Sequence, residues 1–230
     1  MKNIHVTTKE PIRINKFLGE QGVYSRRHVD KLLIENKIKV NNKLATLGQK
    51  VKNKDVIEIN VSSNKKLVYA LYNKPRGEVT GKIELLPGCD PVGRLDKESE
   101  GLLLYTNDYR VVDALLNPKN KREKEYEVIV REKATPRVET ILKKGIKTQE
   151  AEYEPVKSVK IYNDGRNIRI IITEGKKHEI RRMLNALNLT IVSLKRVRIM
   201  SFVLRGIKEK TAHHLSEVQQ MKLLEDLEIK

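Results

Sequence analysis

Residues 91–108 read Pro-Val-Gly-Arg-Leu-Asp-Lys-Glu-Ser-Glu-Gly-Leu-Leu-Leu-Tyr-Thr-Asn-Asp and place one carboxylate, Asp96, two residues after Arg94 and just ahead of an apolar run. A carboxylate kept ionised beside a cation at the mouth of a sheet can serve as nucleophile or base. An isolated Arg-x-Asp is more commonly an ordinary turn, with the aspartate bonded to its arginine. Three further segments carry residue types that chemistry could use. Lys124-Glu-Tyr126 opens a strand that projects Tyr126 to one face, where its ring either packs in a core or stacks on an extruded base. Glu174-Gly-Lys-Lys-His-Glu-Ile-Arg-Arg-Met183 crosses from a strand into a helix, with Lys176, Lys177, Arg181 and Arg182 crowding the first turns. Cations there oppose the helix dipole, so the arrangement calls for an anion or a carboxylate. Leu194-Lys-Arg-Val-Arg-Ile199 alternates cationic and apolar residues as a groove-lining strand would, presenting Lys195 and Arg196. Asp96, Glu98 and Glu100 need not converge on metal ions, and Cys89, His178, His213 and His214 lack zinc-ligand spacing. No metal site is expected.

The elements that must position these residues follow from periodicity. Ile12, Ile14, Phe17 and Leu18 recur at roughly helical spacing. After a break at Gly19 and Gly22, Ser25 is placed to cap a second helix over 26–36, with Val29, Leu32 and Leu33 on one face. A hairpin over 38–47 turns at Asn41-Asn42, and 51–59 alternates like a strand. Residues 61–66 are polar and read as a linker between a small N-terminal domain, 1–60, and a larger one, 67–230. Strands are expected at 67–72, 102–106, 126–130, 168–173 and 190–199, and helices at 108–116, 135–144, 177–187 and 216–227. Ser216 and Gln219 have capping-box spacing. Strands and helices mix without strict alternation, so the class is α+β.

Charge narrows the partners. The 230 residues hold 47 Lys and Arg against 30 Asp and Glu, a formal net charge of +17. Residues 1–66 contain 15 cations and 6 anions, more than half of that surplus, which makes the N-terminal domain the electrostatic anchor. Such an excess favours nucleic acid or an anionic membrane. Without a long apolar span or a basic amphipathic anchor, no membrane partner is expected. A single cysteine and no secretory signal point to the cytoplasm.

Together these motifs resemble the RsuA/RluB/RluE/RluF family of RNA pseudouridine synthases. Gly93-Arg-Leu-Asp96, Gly101-Leu-Leu-Leu104 and Thr106-Asn-Asp108 are similar to its catalytic signature, Asn73-Lys-Pro-Arg-Gly77 to its opening loop, and Lys124-Glu-Tyr126 to its tyrosine strand. His178-Glu-Ile-Arg-Arg-Met183 is similar to its basic helix, and Leu194-Lys-Arg-Val-Arg-Ile-Met200 to its late strand. Residues 12–59 resemble an S4 RNA-binding domain. Ser99 and Met200 look most like the RluF type, which acts on 23S ribosomal RNA. The resemblance implies a synthase fold with a central mixed, largely antiparallel sheet and a catalytic cleft, working as a monomer on ribosomal RNA without a cofactor. It implies that Asp96 severs the glycosidic bond of a flipped uridine, that Tyr126 stacks on the uracil, and that Arg181 holds Asp96 ionised. RNA contacts are expected from Arg94, Arg182, Arg13, Lys16, Arg26, Arg27, Lys31, Lys74, Lys195 and Arg196. Glu179 stands where the family commonly has Gln and is expected beside Arg181, in competition with Asp96. Other readings are a synthase for 16S or transfer RNA, a catalytically silent RNA-binding relative, and a basic DNA-binding protein built on the helices of 12–36.

Overall fold

The computed structural model describes residues 2–21, 24–60, 66–148, 151–162 and 164–229. The chain divides into two compact units: Met1–Val68 with Asn107–Asp113, and Tyr69–Thr106 with Ala114–Lys230. Of the expected linker 61–66, residues 61–65 lie outside the described residues.

In the smaller unit, β1 (Lys2–His5), α1 (Ile14–Glu20), α2 (Arg26–Ile34), β2 (Ile38–Val40), β3 (Lys43–Leu44) and β4 (Val56–Ile59) build an antiparallel sheet of order β1-β4-β2-β3 with two helices. Ile14, Phe17 and Leu18 meet Val29, Leu32 and Leu33 because each set sits three or four residues apart on one helical face. Ser25 caps α2, its Oγ accepting the His28 N–H at 3.1 Å. Ile12 is not helical: Ile12–Arg13 pairs with Lys50–Val51. The expected strand 51–59 is interrupted by a turn that the Asp55 carboxylate closes, accepting the Lys52 N–H at 2.8 Å and the Asn41 amide at 2.9 Å. Those bonds hold the Asp55 carboxyl below its usual range. Arg13, Lys16, Arg26, Arg27 and Lys31 are all exposed.

The larger unit is organised around β5 (Tyr69–Lys74), β6 (Asp90–Val92), β7 (Glu100–Thr106), β8 (Lys124–Val130), β9 (Ser158–Tyr162), β10 (Asn167–Ile172), β11 (Ile191–Ile199) and β12 (Ala212–His214). Its sheet runs β9-β10-β8-β11-β7-β5-β12, with β6 beside β7. Among these pairs only β11 and β7 run parallel, so the sheet is mixed and largely antiparallel, as expected. Three of its strands, β6, β9 and β12, lie outside those expected from the sequence: each is only three to five residues long and takes its conformation from the strand it pairs with. The helices are α3 (Tyr109–Leu116), which joins this unit from Ala114 on, α4 (Pro136–Lys144), α5 (Glu179–Asn185) and α6 (Glu217–Asp226). The capping box at Ser216 and Gln219 is formed. The helix expected over 177–187 begins only at Glu179, because His178 sits in the left-handed region at φ 57°.

Gly101 fixes the parallel pairing. It pairs with Arg196 at φ 106°, and a Cβ there would lie 2.3 Å from the Arg196 carbonyl oxygen and 2.8 Å from its nitrogen. Only glycine lets the backbones approach this closely.

Alternation along β8 and β11 sorts their side chains. Tyr126 and Arg196 go to one face; Glu127 and Lys195 go to the other. On that second face a cross-strand row forms from Lys160 through Arg169, Glu127 and Lys195 to Glu100. Arg169 pairs with Glu127, and Lys195 with Glu100 at 3.8 Å. Such partly exposed pairs contribute little stability individually, but together they specify register.

Candidate active site

Asp96 lies on the loop between β6 and β7, which residues 74–80 grip from both sides. Thr80 imitates a strand partner to Leu95: its Oγ1 donates to the Leu95 carbonyl at 2.7 Å and accepts the Leu95 N–H at 3.1 Å. On the other side the Gly77 N–H donates to the Lys97 carbonyl at 2.8 Å. Lys74, expected to touch RNA, is instead fully buried, at 0% exposure. Its ammonium donates to the carbonyls of Pro75 (2.9 Å), Glu78 (2.7 Å) and Lys97 (3.5 Å), all three lone-pair acceptors for its three protons. Burial lowers the Lys74 pKa, while the charges of Glu78 and Asp96 oppose that. A cation in a basic sequence is thus spent on shaping the Asp96 loop.

The Asp96 side chain is about one-third exposed, at 37%, and lies beside an arginine and a histidine. Its Oδ2 is 3.6 Å from Arg181 Nε and its Oδ1 is 3.5 Å from His178 Nε2. Arg181 is locked to the same loop, Nη2 donating to the Glu98 carbonyl at 3.0 Å and to Ser99 Oγ at 2.9 Å. A planar guanidinium engaged at several points has little freedom to turn away. The side chains that face the Asp96 carboxylate among the described residues are therefore Arg181 and His178, and Arg94 is exposed on the cavity rim.

A cavity of about 720 Å³ opens in front of Asp96, within the size range of small-molecule sites. Asp96, Arg181, His178, Tyr126, Lys124, Glu179 and Arg196 share its wall. Tyr126 is 8% exposed, with its ring in that wall and its hydroxyl 3.5 Å from Arg196 Nη1. Arg196, expected on an RNA-facing groove, is 3% exposed and donates from Nε to the Leu102 carbonyl at 2.7 Å. It braces the strand crossing from behind Tyr126. Lys195, expected beside it, is carried by the strand's alternation to the opposite face and the charged row described above.

Two ionisable groups in the cavity wall are displaced by burial. The Lys124 ammonium donates to the Glu174 carbonyl at 3.0 Å; loss of water, reinforced by the nearby Arg196 cation, pulls it down to about 8. Glu179 is 5% exposed, and burial pushes its carboxyl up to about 7. Its Oε2 accepts the Lys176 N–H at 3.0 Å, closing the turn that delivers His178 and Arg181 to Asp96. Glu179 supplies the carboxylate that the basic helix start requires and does not take Arg181 from Asp96. Lys124 was legible in principle: two residues before Tyr126 on one strand, it must share its face. Arg182 lines a separate cavity of about 280 Å³ with His178, Arg181, Asn185 and Thr190. No group of three or more His, Cys, Asp or Glu side chains is gathered for a metal ion among the described residues.

An anionic carboxylate presented by a locked arginine, at the mouth of a cavity with an aromatic ring in its wall, is equipped to attack or deprotonate a planar substrate bound within. Comparison with known proteins agrees. Residues 79–186 match the family model described as RNA pseudouridylate synthase, and residues 12–57 match the S4 domain. Ribosomal large subunit pseudouridine synthase B of Bacillus subtilis is 34% identical over 238 residues, covering 93% of this chain and 97% of that protein. Dual-specificity RNA pseudouridine synthase RluF of Escherichia coli K12 is 30% identical over 223 residues, covering 85% of this chain and 72% of that one. A crystal structure of a pseudouridylate synthase superposes with a TM-score of 0.69 at 25% identity, over 92% of this chain and 99% of that one. The chain belongs to the RNA pseudouridylate synthase family, as an enzyme of that family carrying an S4 RNA-binding domain.

Proposed function

We propose that the protein converts a specific uridine of large-subunit ribosomal RNA to pseudouridine, with Asp96 as the catalytic carboxylate. The observation that carries this reading is the position of Asp96 at the cavity mouth, about one-third exposed to a ligand and held by Arg181 and His178. The large-subunit substrate is supported by the name of the Bacillus subtilis relative. Residues 1–60 act as the RNA-gripping S4 domain, 61–66 as linker and 67–230 as the catalytic domain. Arg13, Lys16, Arg26, Arg27 and Lys31 contact phosphates, with Arg94 and Arg182 nearer the reacting nucleotide. The enzyme works as a monomer in the cytoplasm. No helix among the described residues is long and apolar enough to cross a membrane.

A uridine in a stack hides its sugar, so it is extruded into the cavity at a cost of about a few kcal/mol. Asp96 assists cleavage of the bond between N1 of uracil and C1′ of ribose. The freed base turns on the face of Tyr126, its C5 joins C1′, and the C5 proton is lost as N1 gains one. Atoms and charge balance within the nucleotide, so the reaction calls for no cofactor. Arg181, 3.6 Å from the Asp96 carboxylate and bonded to the same loop, holds that carboxylate in place at the cavity mouth. The test is Asp96→Asn, an isosteric change. Pseudouridine in a large-subunit transcript is expected to disappear while RNA affinity is retained; continued modification by this variant would remove Asp96 from the chemistry.

A further inference from the structure

Leu116 is an apolar side chain in an unusual place. Of the thirteen large apolar side chains exposed among the described residues, it alone lines the catalytic cavity. It is 41% exposed at the last position of α3, whereas its neighbour Leu115 is 2% exposed. The chain around it is pinned: Asn117 caps a short turn at Pro118–Asn120, its Oδ1 accepting the Lys119 N–H at 3.2 Å, and the Asn120 amide donates to the Ala114 carbonyl at 2.8 Å. Leu116 also reaches over the Asp96 loop. A Cβ on Gly93 would come within 3.0 Å of Leu116 Cδ2, so Gly93, at φ 82°, leaves the room that Leu116 occupies. The residue after Gly93 is Arg94, exposed on the same rim.

A single exposed leucine on a protein surface needs no explanation. At the rim of a cavity that must draw a base out of a stack, it has a definite use. Extrusion leaves the neighbouring bases with uncovered apolar faces, and proteins that unstack nucleic acid cover such faces with apolar wedges. A rigidly presented Leu beside a cation meets both demands, apolar contact for the bases and charge for the phosphates. We propose that Leu116 is a substrate-contacting residue that covers the gap left in the RNA stack by the departing uridine, with Arg94 beside it. This rests on the pseudouridine synthase reading above. Leu116 therefore matters most where the target uridine starts out stacked, and least where it is already unpaired.

The test uses the full chain and two RNAs carrying the uridine that the wild-type protein modifies in a large-subunit transcript. One is a stem-loop with that uridine paired; the other is the same sequence with the complementary strand removed. For Leu116→Ala the ratio of kcat/KM on paired over unpaired RNA should fall about threefold to eightfold, the share of a leucine side chain now in water. Leu116→Met, which keeps the apolar bulk, should restore the ratio. An unchanged ratio, with equal losses on both RNAs, would overturn the proposal and leave Leu116 a merely structural residue. If the wild-type protein makes no pseudouridine in any transcript, the underlying reading falls, and that outcome is distinct from a failure of the wedge alone.

Discussion

Replacing Glu179 by Gln isolates the electrostatic cost of the cavity wall. The buried carboxyl is raised from 4.5 to about 7, chiefly by loss of water, with the Glu174 charge adding to the effect and the charges of Lys176 and Lys124 opposing it. A raised pKa means that the folded chain binds this proton more tightly than the unfolded chain does. The associated stability is fully present below about pH 4.5 and is lost as pH rises through about 7. The full displacement corresponds to about 3 kcal/mol, an upper figure because local opening admits water. Gln keeps the shape and an oxygen to accept the Lys176 N–H, now at 3.0 Å from Oε2, but carries no charge to desolvate. The stability advantage of Glu179→Gln over the unaltered protein should therefore grow by about 2 kcal/mol between pH 5 and pH 8, with no change in denaturant sensitivity. Urea titrations of both proteins at a series of pH values measure it. Parallel pH dependences for the two proteins would refute the buried, costly carboxylate. A Gln variant less stable at pH 8 would show instead that the charge itself holds the 176–179 turn.

Two further substitutions test the scaffold. Gly101→Ala places a methyl group against the Arg196 backbone, where no side-chain rotation can relieve it, at a φ that Ala avoids; a loss of about 4 kcal/mol or more in urea unfolding is expected, and a near-native value would rule out the close pairing of β7 with β11. Lys74→Met removes three donors from the carbonyls around the Asp96 loop but also a buried charge, so stability should fall by only about 1–3 kcal/mol. Turnover at saturating RNA should drop about tenfold with affinity intact, and a drop in affinity instead would return Lys74 to the RNA surface.

Local order in the chain already separated a basic helical N-terminal segment from an α+β domain, because the 3.6-residue and two-residue periods of α2 and β8 are visible in any window of ten residues. It also singled out Asp96, Tyr126 and Arg181, which the structure brings into one cavity. Boundaries were less legible where a single residue decides them. His178 delays α5 by adopting a left-handed backbone, a cost repaid by contacts with Asp96 that lie 82 residues away in sequence.

The cations show where sequence alone stops. Lys74, Lys195 and Arg196 look alike in a chain with 47 Lys and Arg, and each was assigned to RNA. In the fold Lys74 is buried under the Asp96 loop, Arg196 braces Tyr126, and Lys195 belongs to a charged row on the far face of the sheet. Residue type and spacing determined that this chain carries a carboxylate, an aromatic ring and an arginine in segments that resemble the synthase motifs. Which cation meets solvent, which binds backbone carbonyls and which faces the cavity depended on strand register and loop packing, and those are set by partners distant in the sequence.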